Sequence, residues 1–371
     1  MAKILAASWH RGGMKAILPA VERLRQDGND VRLIAHKYAE AIAQKAGAAY
    51  ETLEDIGLPD LSNAVLSRFM FDEMPDAVLT GTSAPTDSDA DAIDKRLLPV
   101  ARMFDIPSIA VLDFWGDYTE RFSTAGAVND FFFMPDLIAV MDTYALEAMR
   151  SLHFPSKILR ITGNPVFDGL ADKVKTFTPE RKKQIRQELG IVADNMIFYA
   201  GNAFMEHQHG YWDLDNIIAL GEACATLSAS YAQAVVTLHP RQPDNEKREI
   251  ARYVAGFSGL VTIAEADEHD LALASDVVVT PFSTTGIEAL YMERPVFTMQ
   301  PEAKINRMAF LTDNGIIPLA STVVEAASLV FKILNIPDYK TKLLEASADF
   351  RAQNDGKATD RVVELVYSMV R

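Results

Sequence analysis

The feature that most constrains this chain is a regular alternation of short, β-type apolar runs with longer stretches of helical periodicity. Parallel strands require crossover connections, so the alternation predicts a parallel sheet with helices on both of its faces. In the first half, the predicted strands are Lys3–Ser8, Val31–Ala35, Ala77–Thr80, Ser108–Asp113 and Leu137–Met141. The helices predicted between them include Leu18–Asp27, Ala39–Ala46 and Lys95–Phe104.

A second series of the same kind follows the segment Asn164-Pro165. Its predicted strands are Met196–Ala200, Gln233–Leu238, Leu260–Ile263, Val277–Thr280 and Val296–Met299. A length of 371 residues suits two cores better than one. We therefore predict an α/β fold with two Rossmann-like, doubly wound domains, at residues 1–162 and 163–345, and a ligand cleft between them. Residues 346–371, part of a helix expected from about Thr341, are predicted to pack back on the first domain.

Composition and charge narrow the class of protein. The formal net charge of −15 argues against nucleic-acid binding, which needs a basic surface. The sequence contains no apolar stretch of about 18 residues, and its first residues enter a predicted strand without the layout of a signal peptide. A single cysteine, Cys224, excludes an intramolecular disulfide framework and a zinc site built on several thiolates. These observations predict a cytoplasmic protein with no transmembrane segment.

A glycine pair follows the first predicted strand, within the segment Ser8–Lys15. Gly12 and Gly13 allow a tight turn and close backbone approach, and a helix N-terminus at this point favours an anion. A plain strand-to-helix turn explains the same residues. We predict a loop that faces an acceptor, formed by Arg11, Gly12 and Gly13, with His10 as a candidate base.

The segment Thr237-Leu238-His239-Pro240-Arg241-Gln242 follows a predicted strand of the second series. Histidine at the carboxyl edge of a sheet can donate a hydrogen bond to phosphate, and the arginine fork can clamp an oxyanion. A histidine in a loop can equally have no chemical role. We predict that His239 and Arg241 bind phosphate, and that His239 assists departure of the leaving group.

A hydroxyl-rich turn leads from the strand ending at Thr280 into a helix expected near Thr285. Backbone N–H groups and hydroxyls at a helix N-terminus form a natural cradle for phosphate. Glu288 has two readings, as the acid of a capping box with Thr285 or as a carboxylate that binds ribose hydroxyls. The residues predicted to bind the nucleotide or its phosphates are Gly201, His239, Arg241, Ser283, Thr284, Thr285, Gly286 and Glu288.

Acidic residues suggest a base but no metal site. Asp113 follows a predicted strand and is a candidate general base, with a structural cap as its alternative role. The run Asp87, Asp89, Asp91 and Asp94 lacks the Gly and Glu of a calcium loop, and we interpret it as solvated and helix-capping. His207, His209 and Asp213 lack supporting ligand spacing, so neither metal nor cofactor is predicted.

Two segments resemble a known superfamily. Ile161–Asp168 looks like the hinge of UDP-N-acetylglucosamine 2-epimerases and related GT-B glycosyltransferases, and Ser275–Val296 looks like their loop for the nucleotide diphosphate. The resemblance implies a GT-B fold with the nucleotide held by the second domain. Where the hydrolysing epimerases carry His-Gly-Asp-Thr, His-Val-Glu-Ala-Gly and His-Arg-Arg-Glu, this chain has Thr80–Ser83, Val111–Trp115 and His239–Gln242. Loss of those acids predicts a reaction other than epimerisation.

His239-Pro240 together with Ser283-Thr284 is similar to motifs of bacterial sialyltransferases and CDP-glycerol polymer transferases. By that resemblance, His239 contacts the donor phosphate, and Ser283 and Thr284 bind it. The acidic-acidic-Gly base motif of the sialyltransferases has no clean copy here, so Asp113 and His10 both remain candidates for the base.

The expected function is metal-independent glycosyl transfer, a nonulosonic acid included, from a CMP-, CDP- or UDP-type donor. The acceptor is expected to be a glycan or a lipid-linked molecule. A nucleotide-sugar 2-epimerase or hydrolase and a non-catalytic nucleotide-sugar binding protein are the alternatives. The sequence leaves homo-oligomer formation open.

Overall fold

A computed structural model describes residues 1–84, 88–127, 129–201, 213–227, 231–239, 242–300 and 306–370 of the chain. The chain divides into two compact units. The first unit consists of Met1–Asp168 and Gln353–Arg371, and the second consists of Gly169–Ala352. None of the described helices has the length and apolar character that crossing a bilayer requires.

The first unit is built on a six-stranded sheet in the order β2-β1-β3-β4-β5-β6, with every strand pair parallel. Successive side chains of a strand point to opposite faces, so Ile4 and Ala6 enter one core while Leu5 and Ala7 enter the other. Burial on both faces explains why these strands read as continuous apolar runs. The strands are β1 (Lys3–Ser8), β2 (Asp30–Ala35), β3 (Ala77–Thr80), β4 (Ser108–Val111), β5 (Leu137–Val140) and β6 (Leu159–Ile161).

Seven α-helices of the first unit are described, and they flank this sheet. They are α1 (Arg11–Gln26), α2 (Glu40–Lys45), α3 (Asn63–Glu73), α4 (Ile93–Met103), α5 (Tyr118–Phe122), α6 (Thr143–Ser151) and, from the end of the chain, α17 (Ala358–Met369). Short 3-10 turns occur at Lys37–Ala39, Ser156–Ile158 and Pro165–Phe167. Apolar residues of α1 and α17 join the core on one face of the sheet, and those of α3 and α4 join the core on the other face.

The second unit repeats the architecture with the strand order β12-β11-β10-β7-β8-β9, again all parallel. Its strands are β7 (Asn195–Ala200), β8 (Ala232–Thr237), β9 (Val261–Ile263), β10 (Val277–Thr280), β11 (Val296–Met299) and β12 (Leu319–Ala320). Its helices are α7 (Leu170–Thr176), α8 (Pro179–Glu188), α9 (Asp213–Leu227), α10 (Asp244–Gly256), α11 (Glu268–Ala274), α12 (Thr284–Tyr291), α13 (Ala309–Thr312), α14 (Val323–Asn335), α15 (Pro337–Ala346) and α16 (Ala348–Ala352).

The prediction of a doubly wound α/β fold is confirmed, and each sheet has one point where the direction of winding reverses. In the first unit the reversal lies between β1 and β3, and in the second unit it lies between β7 and β10. Ligands of open α/β sheets bind outside the carboxyl ends of the strands at such points. The loops that follow β1, β3, β7 and β10 are therefore the first places to look for function.

The single C-terminal helix expected from about Thr341 is wrong. Three helices, α15, α16 and α17, occupy this region. Gly356 lies between α16 and α17 and has a φ of +74°, a left-handed conformation that interrupts the helical backbone before α17 begins. Val362, Val363 and Val366 of α17 belong to the core of the first unit.

A carboxylate distant in sequence caps α17. Asp168 Oδ1 accepts a hydrogen bond from Ala358 N at 2.9 Å, and Asp168 Oδ2 accepts one from Thr359 N at 2.7 Å. These amides are at the start of the helix, where backbone donors lack partners inside the helix and an anion is favoured. Asp168 therefore fastens the end of the chain to the first unit.

We predict that Asp168→Ala lowers the free energy of unfolding by about 1–3 kcal/mol, because the first two amides of α17 lose a charged acceptor. Urea unfolding followed by circular dichroism measures the change. Asp172→Ala is the matched control, since the Asp172 side chain is 77% exposed and pairs with Lys175 at the surface. Equal stability of the two variants would contradict this role of Asp168.

Candidate functional site

The predicted phosphate loop of the second unit forms a capped helix start at the winding reversal. Ser283 is the N-cap of α12, and its Oγ accepts a hydrogen bond from Thr285 N at 3.3 Å. Ser283 N donates to Thr280 Oγ1 at 2.8 Å, which holds the turn against the end of β10. Ser283 and Thr284 are only half-buried. Their hydroxyls and the first amides of α12 can therefore meet an anion.

Gly286 is required by packing in this loop. A Cβ at Gly286 would collide with the Cγ2 methyl of Thr280. The absent side chain lets the first turn of α12 lie directly on the end of β10. Gly286 thus positions the cradle through its backbone.

Thr285 differs from its two neighbours because its hydroxyl has an internal partner. Thr285 Oγ1 donates to Glu268 Oε2, and Thr237 Oγ1 donates to Glu268 Oε1 at 3.3 Å. Glu268 begins α11, so its carboxylate joins the end of β8 to the first turn of α12. Of the three predicted hydroxyls, Ser283 and Thr284 are thus the better placed for phosphate.

The capping-box reading of Glu288 is wrong. The N-cap is Ser283, so the third helical residue is Gly286 and Glu288 lies beyond the first turn. Glu288 Oε2 instead contacts His269 Nε2 at 2.6 Å, and His269 Nδ1 contacts Lys173 Nζ at 2.5 Å. These contacts join α7, α11 and α12 through the imidazole of His269.

His239 lies two residues after the end of β8 and is half-buried. Its carbonyl oxygen accepts a hydrogen bond from Gln242 N at 2.9 Å. Thr237, at the end of β8, and Thr285, in the first turn of α12, both donate to Glu268. This carboxylate therefore connects the strand that leads into the His239 loop to the start of α12. Arg241, the predicted clamp, lies outside the described residues, as do His207 and His209.

Gly201 follows β7 directly, as expected for a residue at the winding reversal. A Cβ at Gly201 would collide with the carbonyl oxygen of Thr237 and would lie 3.0 Å from Asp213 Oδ2. The carboxylate of Asp213 also accepts a hydrogen bond from Tyr199 OH at 2.5 Å. Gly201 is thus required for close packing between the ends of β7 and β8.

Sequence reasoning missed several charged residues of the second-unit site. Glu268 and His269 come soon after β9, and polar residues after a strand were the available signal. Lys173 gave no signal because α7 precedes the first strand of this unit. The guanidinium of Arg307 lies 5.5 Å from the ring centroid of Phe282, beside the phosphate loop.

In the first unit, the glycine pair lies where two backbones meet. A Cβ at Gly13 would lie 2.9 Å from Thr82 N, and a Cβ at Gly81 would lie 2.6 Å from Gly13 Cα. The loops after β1 and β3 therefore touch through their main chains. Close backbone packing explains Gly13 and Gly81 without a ligand.

Asp113 is held in a buried polar cluster two residues after β4. Its Oδ1 accepts hydrogen bonds from Arg121 Nη1 and, at 2.9 Å, from Thr82 Oγ1. Arg121 Nε also donates to Gly116 O at 3.0 Å. Asp113 Oδ2 lies where a Cβ of Gly12 would be, beside the N-terminus of α1. The guanidinium of Arg121 and the start of α1 both lie beside this carboxylate.

His10 is the N-cap residue of α1 and lies among aromatic rings. Its ring centroid is 6.0 Å from that of Trp9 and 6.2 Å from that of Tyr38. Arg11 follows at the helix start, and Arg11 Nε is buried with no hydrogen-bond partner among the described residues. His10 and Arg11 thus lie together at the carboxyl edge of the first sheet.

The reading of the aspartate run as solvated is wrong for two of its members. Asp89 is buried and pairs with the buried Lys95 Nζ at 2.5 Å. Asp94 is 1% exposed, accepts a hydrogen bond from Ser83 Oγ at 2.9 Å, and has no partner for Oδ2 within the described part of the chain. Burial raises the pKa of Asp94 to about 7. The Asp91 side chain is 51% exposed and pairs with Lys37, and Asp87 lies outside the described residues.

Among the residues that the structure describes, no group of three or more His, Cys, Asp or Glu side chains is arranged to hold a metal ion. Arg307 supplies a cation beside the described phosphate loop, and the ammonium group of Lys173 contacts His269.

A family model matches most of the chain, including the whole of the second unit. The model described as CDP-glycerol:poly(glycerophosphate) glycerophosphotransferase matches residues 133–368. No curated protein sequence matches the chain.

Solved structures with the same fold include both epimerases and glycosyltransferases. UDP-GlcNAc 2-epimerase from Neisseria meningitidis, solved with UDP-GlcNAc, has a TM-score of 0.68 and 17% identity, covering 99% of this chain and 100% of its own. S. aureus MnaA, solved with UDP, has a TM-score of 0.71 and 17% identity, covering 100% and 97%. Anabaena Alr3699/HepE, solved with UDP and glucose, has a TM-score of 0.65 and 14% identity, covering 99% and 100%. These similarities confirm the predicted GT-B class of fold.

We predict that Asp94→Asn changes how stability depends on pH. The folded protein holds the Asp94 proton up to about pH 7, whereas the unfolded chain releases it near 3.8. The wild-type free energy of unfolding therefore loses a contribution as pH rises from about 4 to 7. Asparagine has no such proton, so the variant gains about 1–4 kcal/mol relative to the wild type over that interval.

Urea unfolding at pH 4.5, 6 and 8 measures this difference. Asp91→Asn is the control, since Lys37 lowers the pKa of Asp91, so this carboxylate stays ionised in the folded and unfolded states at all three pH values and its replacement gives no pH trend. A difference between the Asp94→Asn variant and the wild type that does not vary with pH would contradict the prediction.

Proposed function

The chain belongs to the CDP-glycerol:poly(glycerophosphate) glycerophosphotransferase family, and from this premise we propose that it transfers a phosphopolyol group from a cytidine-activated donor to an acceptor hydroxyl. The observation that carries the proposal is the start of α12. There, Ser283 and Thr284 offer accessible hydroxyls at a helix N-terminus, at the winding reversal of the second sheet. Such a terminus is suited to phosphate.

The second unit is the proposed donor site. Ser283, Thr284 and the first amides of α12 bind the diphosphate, and His239 donates a hydrogen bond to it. Arg241, Arg307 and Lys173 supply positive charge, so the proposal needs neither a metal ion nor a cofactor. Glu288 accepts hydrogen bonds from the ribose hydroxyls. Gly201 and Gly286 act through packing, because a side chain at either position would strike a neighbouring strand end.

The proposed chemistry is one displacement at phosphorus. The acceptor oxygen forms a bond to the β-phosphorus of the donor, the bond from that phosphorus to the bridging oxygen breaks, and CMP leaves. The acceptor's proton passes to a base of the first unit. Hydrogen bonds from His239 and the amides of α12 stabilise the charge that develops on the leaving phosphate.

Of the two base candidates, His10 is favoured over Asp113. Oδ1 of Asp113 already accepts hydrogen bonds from Arg121 and Thr82, and its Oδ2 lies against Gly12, so the fold engages both oxygens of this carboxylate. His10 carries an imidazole, whose ring nitrogen can accept a proton. We assign His10 as the base, Asp113 as the group that orders the loop around Gly12, and Arg11 and Gly13 to the same acceptor loop.

Glycosyl transfer is the second candidate reaction. The fold similarity to Alr3699/HepE, which was solved with UDP and glucose, supports it. The same elements would then hold a UDP- or CMP-sugar, nonulosonic acids included, and the acceptor oxygen would attack the anomeric carbon. An epimerase, by contrast, would convert the nucleotide sugar, or cleave it and release the nucleotide, with no acceptor present.

A product assay separates these reactions. The purified protein is incubated with CDP-glycerol, UDP-glucose, UDP-GlcNAc or a CMP-sugar, with and without a poly(glycerophosphate) acceptor, and nucleotides are resolved by chromatography. CMP released from CDP-glycerol only with acceptor is the expected result. UDP released from UDP-glucose supports glycosyl transfer, and conversion of UDP-GlcNAc without acceptor supports the epimerase. Failure to consume any donor contradicts transferase activity.

We predict that His239→Ala lowers kcat by about 10²–10³-fold with the melting temperature preserved, because one donor to the developing charge is lost. Steady-state kinetics with the best donor measures the effect. His153→Asn is the control, since His153 is exposed on the first unit and has a φ of +67°, which asparagine tolerates. Unchanged kcat in His239→Ala would remove this residue from the mechanism.

A further inference from the structure

Three side chains of the second unit form a linear chain of contacts that ends at Glu288. Lys173 Nζ lies 2.5 Å from His269 Nδ1, and His269 Nε2 lies 2.6 Å from Glu288 Oε2. The side chains of His269 and Glu288 are 22% and 10% exposed, so both are largely shielded from water. Contacts of this length between partly buried groups hold the three side chains in one arrangement.

For a neutral imidazole at this position, one tautomer satisfies both contacts. An ammonium group donates hydrogen bonds and accepts none, so Lys173 makes Nδ1 of His269 the acceptor. The ring proton is therefore on Nε2, which donates to Glu288 Oε2. Such an arrangement sets the orientation of the ring and, through it, of the carboxylate.

Glu288 is well placed to reach a ligand held at the start of α12. It comes four residues after Thr284, and residues four apart lie on the same face of a helix. Its carboxylate therefore projects about one turn beyond the proposed phosphate position. With Oε2 taken by His269, the described contacts leave Oε1 to accept other hydrogen bonds.

The neighbouring residue on α11 serves a different contact. Glu268 accepts a hydrogen bond from the hydroxyl of Thr285, and the next residue, His269, contacts Glu288. The first turn of α11 thus holds α12 at two successive places. Glu268 by itself ties the two helices together, so the additional chain through His269 and Lys173 calls for its own explanation.

We propose that Lys173 and His269 are positioning residues that orient Glu288 for recognition of the ribose hydroxyls of the donor nucleotide. The inference rests on the proposed function, because it takes a nucleotide as the ligand. It adds two residues through which the site would distinguish ligands by their ribose hydroxyls and not by their phosphates. His269 contacts Glu288, Lys173 contacts His269, and neither residue needs to touch the substrate.

The test compares nucleotides that differ only in the ribose hydroxyls. Calorimetry measures the Kd of CMP and UMP and of their 2′,3′-dideoxy analogues for the full chain. The ratio of dideoxy Kd to ribose Kd is the readout, since a merely structural change alters both affinities alike. The variants are His269→Ala, His269→Gln, Lys173→Met and Glu288→Gln.

We expect the wild type to favour the ribonucleotide by about 10-fold or more, as a hydrogen bond to a charged group implies. His269→Ala and Glu288→Gln reduce the ratio to within about 3-fold while affinity for the dideoxy analogue is kept. Lys173→Met gives an intermediate ratio. His269→Gln restores it, because the glutamine amide can donate to Glu288 as Nε2 does.

Two results overturn the inference and leave the proposed transfer reaction and phosphate site intact. They are a wild type that binds ribose and dideoxy forms equally, and a His269→Ala variant with the wild-type ratio. A parallel loss of affinity for both forms in His269→Ala, with a lower melting temperature, also overturns it in favour of a structural clamp. A wild type that binds no nucleotide overturns the proposed function itself.

Discussion

Parallel strand pairing is the constraint on which the rest of this structure depends. Every parallel pair needs a crossover, and in both units the crossovers bring helix N-termini to the carboxyl edge of the sheet. Where the winding reverses, between β7 and β10, the first amides of α12 lie at the carboxyl edge of the sheet. The proposed donor site is a consequence of this topology, and the residues around it adapt to it.

Those residues divide between holding the site and meeting a ligand. Glu268 accepts hydrogen bonds from the hydroxyls of Thr237 and Thr285 and joins two loops, while Ser283 and Thr284 stay accessible. Gly201 and Gly286 give the close packing that sets these positions. In the first unit, Asp113 and Arg121 play a comparable ordering role at the loop that contains Gly12. Function is thus left to a few side chains on a tightly packed edge.

The strands were predictable because burial on both faces makes them continuous apolar runs, as at β3, β10 and β11, whose bounds match the prediction. The short strands β6 and β12 were missed, since two or three residues give no periodic signal. Buried acids such as Asp94 were missed for another reason. A carboxylate that pairs with Ser83 from a helix reads in sequence as a surface residue, and only the fold brings Ser83 to it. Glu268, His269 and Lys173 likewise meet Thr285 and Glu288 only through long-range packing of helices.

The most direct test of the central claim is calorimetric titration of CDP and UDP into the full chain, with the double variant Ser283→Ala/Thr284→Val beside it. The control is Thr322→Ala, which removes the N-cap hydroxyl of α14 in the same unit. The account predicts that the wild type and Thr322→Ala bind a nucleoside diphosphate, and that the double variant binds it at least about tenfold more weakly. Nucleotide binding that is absent from the wild type, or unaltered in the double variant, would contradict a donor site at the start of α12.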